Sequence, residues 1–186
     1  MRDIMSKIAI LTDSSCDIPQ EMAEKYNIDI MSFHILLDDV DYVERESCSN
    51  EEFYAKMRAA KGVPSTAAIT PIQFCEKYCQ YVDEGYTDVI HVPINRSGSS
   101  TYNNAVMAQG MLREERPEHH LKIHLIDSHT YSMPFGWYLC EMARKLKNGA
   151  EISHVIQEFE KQMNCMEIVL GPYSLKQMKK SGRISA

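Results

Sequence analysis

The chain has 186 residues, 44% apolar and 25% charged, a composition ordinary for a folded domain with a real core. Its net charge is −6 and its isoelectric point near 5.6, so the surface repels phosphate backbones and anionic membranes and argues against nucleic acid as a partner. A local basic spot near the end (Lys176, Lys179, Lys180, Arg183) reads as a solvated face. The six cysteines (Cys16, Cys48, Cys75, Cys79, Cys140, Cys165) are scattered through apolar patterns, without a CxxC, an HExxH or a His-rich cluster. Cys75 and Cys79, four apart on one helical face, suit core packing as well as a metal, and no other spacing supports the metal. The opening residues carry neither a signal peptide nor a long apolar anchor. The expectation is a cytoplasmic chain with reduced thiols, no integral membrane segment, no metal and no cofactor.

In chain order, Ile8 to Leu11 is a short, fully apolar run of the kind found in strands buried on both faces. The polar turn Thr12 to Asp17 follows, and Pro19 fits the first position of a helix through Tyr26. Ile28 to Leu37 is extended, and Asp38-Asp39 turns the chain back toward Tyr42-Val43. Ser49-Asn-Glu-Glu52 is a capping box for a helix to about Ala60. Thr70-Pro-Ile-Gln73 is a second, with Pro71 at the first helical position and Ile72, Cys75, Tyr78, Cys79 and Val82 as its apolar stripe. Val89 to Ile94 is a strand, Thr101 to Arg113 a helix, and Leu121 to Leu125 a strand ending in Asp127-Ser128. Two helices close the pattern, the second with Ile152, Val155, Ile156, Phe159 and Met163 on one face. Strand and helix in this rhythm predict an α/β fold, a mainly parallel sheet with helices on both faces.

Ligands in such sheets sit beyond the carboxyl ends of the strands. Three polar turns fall at those ends: Thr12 to Asp17, Asn95 to Thr101, and Asp127 to Tyr131. Asn95-Arg-Ser-Gly-Ser-Ser100 follows a strand and opens a helix, whose backbone N–H groups and nearby hydroxyls suit a carboxylate or phosphate. Ser97, Ser99 and Ser100 serve equally well as plain helix caps. The segment is not GxGxxG, a P-loop or a GxSxG elbow. Pro64 to Pro71 is a small-residue turn in which Thr66 offers a hydroxyl, to a ligand or to its own backbone. Three function classes stay open on the residues alone: a ligand carrier, a small serine-dependent hydrolase or transferase using Ser99, and a pure interaction module.

Five segments in order resemble the DegV family of fatty-acid-binding proteins. They are Lys7 to Pro19 with its Thr-Asp-Ser turn, Ser65-Thr66 with Thr70-Pro71, Pro93 to Tyr102, Ile126-Asp-Ser128, and Leu175 to Ser185 with Gly-Arg-Ile-Ser. The resemblance implies a DegV-like N-terminal α/β domain over residues 1–163, with 164–186 beginning a smaller second α/β domain. It implies that the protein binds a long-chain fatty acid by its carboxylate and presents it to a partner fatty-acid kinase, with no catalysis of its own. Thr66 and Ser99 take the carboxylate in that reading, their turns at the same edge of the sheet. Asn95, Arg96, Ser97, Ser100 and Arg183 form the head-group surroundings.

The chain departs from the family pattern. Asn95-Arg96 stand for a Ser-Ser pair, Ser97-Gly98 for Gly-Leu, and Ala67-Ala68-Ile69 for Ser-Gln-Pro. Arg96 adds a cation beside the expected head group. The rest of the family's second domain does not follow Ser185, so the expectation is an incomplete acyl pocket, in which Arg183 is exposed or loosely held. A buried methylene contributes about 0.8 kcal/mol and an exposed one nothing. Long-chain fatty acid should therefore bind the 186-residue chain far more weakly than a longer form. A submicromolar dissociation constant for the 186-residue chain in a fluorescence displacement titration would contradict this.

Overall fold

The computed structural model describes residues 6–169 and Gly171. In chain order the elements begin with β1 (Ile8–Asp13), α1 (Gln20–Tyr26), β2 (Ile28–Met31), β3 (His34–Leu37), β4 (Val40–Val43), α2 (Asn50–Ala59) and β5 (Ser65–Ala67). There follow α3 (Pro71–Asp83), β6 (Asp88–Val92), α4 (Thr101–Glu115), β7 (Lys122–Leu125), α5 (Met133–Lys147) and α6 (Ile152–Asn164). The described residues fall into two compact units: Ile69–Met166 with those before Ser32, and Ser32–Ala68 with those beyond Met166. The units follow the hydrogen bonding, since β3, β4 and β5 pair with one another and not with the parallel strands.

The first unit is the expected parallel sheet, in the order β2-β1-β6-β7. Strands β1 and β6 are central, which is why both are buried at nearly every position. Ile10, Ile90 and Val92 face a core built with Ile18, Phe135, Leu139, Val155, Phe159 and Met163, from the β1–α1 connection, α5 and α6. On the other face α3 and α4 pack together, with Phe74, Tyr78, Ala105, Ala108 and Leu112 buried. The stripe of α6 is the one read from the sequence, and Val155, Phe159 and Met163 are all buried. That of α3 is rotated: Ile72 is 60% exposed, while Phe74 and Tyr81 are buried instead. Among the described residues no helix is long and apolar enough to cross a membrane.

Local rules account for most element ends. Both capping boxes form, with Ser49 and Glu52 at the start of α2 and Thr70 and Gln73 at the start of α3. Pro19 is the N-cap of α1 and not its first helical residue; its ψ of 144° is extended, so the helix begins at Gln20. In the second unit β4, β3 and β5 form an antiparallel sheet in that order. Asp38 and Asp39, with φ of 47° and 64°, make the β3–β4 turn, and both left-handed residues match the twist of a two-residue hairpin. Gly136 lets α5 approach β1's connection closely: a Cβ there would lie 2.2 Å from the Cys16 carbonyl oxygen.

The α3 face contains a buried imidazole. His91, fully buried in β6, stands 4.8 Å from the Phe74 ring, with its Nδ1 2.7 Å from Tyr78 Oη. Nε2 has no partner among the described residues. Burial lowers the His91 pKa from 6.5 to about 3, so the ring is neutral in the fold. An unfolded chain protonates this histidine below pH 6.5 and the folded one does not. Stability is therefore complete above pH 6.5 and falls as pH drops toward 3, at about 1.4 kcal/mol per pH unit from this group. Urea unfolding at pH 4.5 and pH 7 should differ by about 2–3 kcal/mol more in the wild type than in His91→Gln. Equal pH slopes for the two proteins would remove His91 as the cause.

Candidate functional site

The chain leaves β1 toward β2 on one side and β6 toward β7 on the other, so the carboxyl ends of β1 and β6 flank the point where the connections diverge. Crevices at such points receive ligands in open α/β sheets. All three polar turns meet there, and hydrogen bonds join them. The Thr12 hydroxyl donates to the Val92 carbonyl at 2.7 Å. Asp13, fully buried at the end of β1, accepts the Ile94 N–H at 2.7 Å on one oxygen and the Ser15 N–H at 3.1 Å on the other.

Asp127 holds the same turn from the β7 side. It is 8% exposed, and its Oδ1 accepts the Arg96 N–H at 3.1 Å and the His129 N–H at 3.0 Å. Arg96 Nε lies 3.2 Å from Oδ2, an ion pair without hydrogen-bond alignment. Asn95 completes the seam: its N–H donates to the Thr130 carbonyl at 3.3 Å and its Nδ2 to the His129 carbonyl at 3.1 Å. The Ser132 N–H then donates to the Ser15 carbonyl at 2.9 Å, joining the β7 turn to the β1 turn. Sequence reading located these turns without assigning Asp13 or Asp127 a part. The signal was an aspartate closing β1 and another two residues beyond β7.

Ser99 is half-buried one residue before the cap of α4; its Oγ is 2.8 Å from Thr101 Oγ1 and accepts the Thr101 N–H at 3.3 Å. Ser100 occupies the cap position but makes no side-chain capping bond. Ser97 is tied to Asn95, its hydroxyl donating to Oδ1 at 2.7 Å and its N–H at 2.9 Å. Arg96 is well exposed yet held toward Asp127, so part of its charge is committed to the protein. Gly98 is packed against Tyr131, whose Oη lies 2.2 Å from where a Cβ would be. Asn104 Nδ2 donates to the Ile69 carbonyl at 2.8 Å, tying α4 to the residue that precedes the cap of α3.

Thr66 belongs to the second unit, and its setting differs from the expected turn at the edge of the parallel sheet. It lies in β5, exposed, opposite Ile35 of β3, because Ser65 to Ala67 completes a three-stranded antiparallel sheet. Arg183 lies outside the described residues. An open groove of about 380 Å³ between α5 and α6, lined by Trp137, Tyr138, Met142, Val155 and Phe159, includes none of the turn residues. What the β6–α4 turn offers chemically is a partly buried hydroxyl and the positive end of a 15-residue helix, in a backbone anchored by two carboxylates.

The family model described as "Uncharacterised protein, DegV family" matches residues 7–186. The chain belongs to the DegV family. A DegV domain-containing protein of Clostridium perfringens is 31% identical over 182 residues, covering 97% of this chain and 62% of the relative. The crystal structure of a DegV lipid-binding protein from Thermotoga maritima superimposes with a TM-score of 0.74 at 28% identity, over 86% of this chain and 55% of the other. That of a Streptococcus pneumoniae fatty acid kinase B3 protein loaded with linoleic acid gives 0.68 at 19% identity, over 85% and 54%. The chain thus spans about three fifths of the length of the curated relative and just over half of each solved structure.

In this DegV chain the Asp13 clamp is structural before it is functional. Asp13→Ala removes the acceptor of the Ile94 and Ser15 N–H groups, each bond to a carboxylate contributing roughly 1.5–3 kcal/mol. Urea unfolding should show a loss of about 3 kcal/mol or more, and a loss below about 1 kcal/mol would contradict the clamp.

Proposed function

We propose that this DegV chain is a binding protein for a long-chain fatty acid, that it receives the carboxylate at the start of α4, and that it performs no chemistry itself. The observation that carries the reading is the position of Ser99, with its hydroxyl beside the first turn of α4 at the divergence of the sheet connections. The Thermotoga maritima structure, described as a DegV lipid-binding protein, supports the ligand class. Thr66 is the second proposed hydroxyl, carried by β5. Asn95, Arg96, Ser97 and Ser100 act in shaping the turn around the head group, and Arg183 is proposed with them on the resemblance alone.

A hydrolase built on Ser99 is the competing reading. Among the described residues no hydrogen bond joins Ser99 to an imidazole, and its hydroxyl is taken up by Thr101. A serine nucleophile needs an adjacent base, so the binding role is favoured. We extend the proposal to presentation of the bound acid to a separate fatty-acid kinase, which would bind ATP and make the acyl phosphate. The Streptococcus pneumoniae fatty acid kinase B3 protein, which shares this fold, supports the extension. A reducing cytoplasmic location fits six cysteines that are all unbridged.

Mass spectrometry of lipid extracted from the purified chain should find a fatty acid. In a displacement titration with oleate, Ser99→Ala and Thr66→Ala should each weaken binding about tenfold or more, the loss of one hydrogen bond to a charged acceptor. Unchanged affinity would remove the substituted residue from the site. Ester turnover that disappears in Ser99→Ala would overturn the binding reading in favour of the hydrolase.

A further inference from the structure

Helices α3 and α4 pack side by side, and three metal-ligand side chains converge between the middle of α3 and the C-terminal end of α4. Cys75 and Cys79 stand one turn apart on α3, both buried, and Glu115 is the last residue of α4, exposed. The two sulfurs and a Glu115 carboxylate oxygen all lie within 4.8 Å of one another, and Cys79 Sγ is 3.5 Å from Glu115 Oε2. Core packing explains two thiols on the inner face of a helix. It does not explain a carboxylate from the neighbouring helix turned onto them.

We propose that Cys75, Cys79 and Glu115 form a binding site for a thiophilic divalent cation of the zinc and cadmium class, joining α3 to α4. Two thiolates and one carboxylate are a donor set that such ions take in tetrahedral sites, at about 2.3 Å for sulfur and 2.0–2.2 Å for oxygen. Those distances place the donor atoms somewhat under 4 Å apart around the ion, so the cluster contracts by up to about an ångström on binding. The exposed end of Glu115 supplies that movement and leaves a fourth position open to water. In the metal-free protein both thiols hold their protons, since burial raises Cys75 to about 12 and Cys79 above its ordinary value. The ion displaces both protons to solvent, and two sulfur–metal bonds and one oxygen–metal bond form with no change of oxidation state. The resulting site carries one negative charge, offset by Arg116, whose charge acts on Cys79 and which lies 3.7 Å from Asp83.

The site is separate from the proposed carboxylate turn. Ser99 precedes α4 and Glu115 ends it, so 15 helical residues at about 1.5 Å each hold them roughly 20 Å apart. The test uses cadmium alone, on a chain with Cys48 and Cys165 replaced by serine to remove the two cysteines that are not buried. A sulfur-to-cadmium charge-transfer band should saturate at one ion per chain. It should vanish in Cys75→Ser and in Cys79→Ser, with far-ultraviolet circular dichroism confirming that each is folded. Glu115→Gln, on an exposed position, should fold normally and bind cadmium at least about tenfold more weakly. No band at one equivalent, a band that survives in Cys75→Ser or Cys79→Ser, or an unchanged affinity in Glu115→Gln would each overturn the proposal. Should the cysteine variants not fold, a cadmium-induced rise in Tm that Glu115→Gln lacks supports it, and an equal rise overturns it.

Discussion

A buried carboxylate at the end of a central strand organises this protein. Asp13 is at the last position of β1, where the backbone leaves the sheet and its neighbour β6 does the same. An unpaired charge there would be costly, and so would the unbonded N–H groups of a turn with no regular partner. Each solves the other's problem: Asp13 receives N–H groups from its own turn and from Ile94. Asp127 repeats the device from the other side of β6. The turn leading into α4 is therefore fixed at its start by two carboxylates, through Ile94 and Arg96.

The two faces of the sheet differ in character. The face toward α1, α5 and α6 is closed by apolar side chains, the buried Cys16 and Cys140 among them. The α3–α4 face also buries polarity: His91 against Tyr78, and two thiols against a carboxylate. Polar groups in a dry interior demand specific partners, so this face tolerates fewer arrangements than one made of methyl groups.

What was legible in the sequence was mostly local. Ser49 with Glu52 and Thr70 with Gln73 announce helix starts because the whole interaction spans four residues. The α6 stripe was readable because five apolar residues recur at helical spacing. The α3 stripe was misjudged by weighting Ile72, when the neighbouring α4 and β6 decide which side is inside. Thr66 was taken for a turn residue because Ser-Thr-Ala has no hydrophobic alternation; β3 makes it a strand. The Asp13–Ile94 and Asp127–Arg96 bonds cross 81 and 31 residues, and no pattern short of the fold itself reveals them. The family resemblance points to the β6–α4 turn by its neighbours in order, without the physics that holds it.

The groove between α5 and α6 has a practical corollary. Trp137, the only tryptophan of the chain, lines it and is half exposed. Intrinsic indole emission is thus an optical probe of one helix pair, sensitive to whatever docks there or loosens it. The β6–α4 turn carries no tryptophan of its own and packs against Tyr131, so the ligand uptake proposed there is to be followed by a tyrosine signal or an added chromophore.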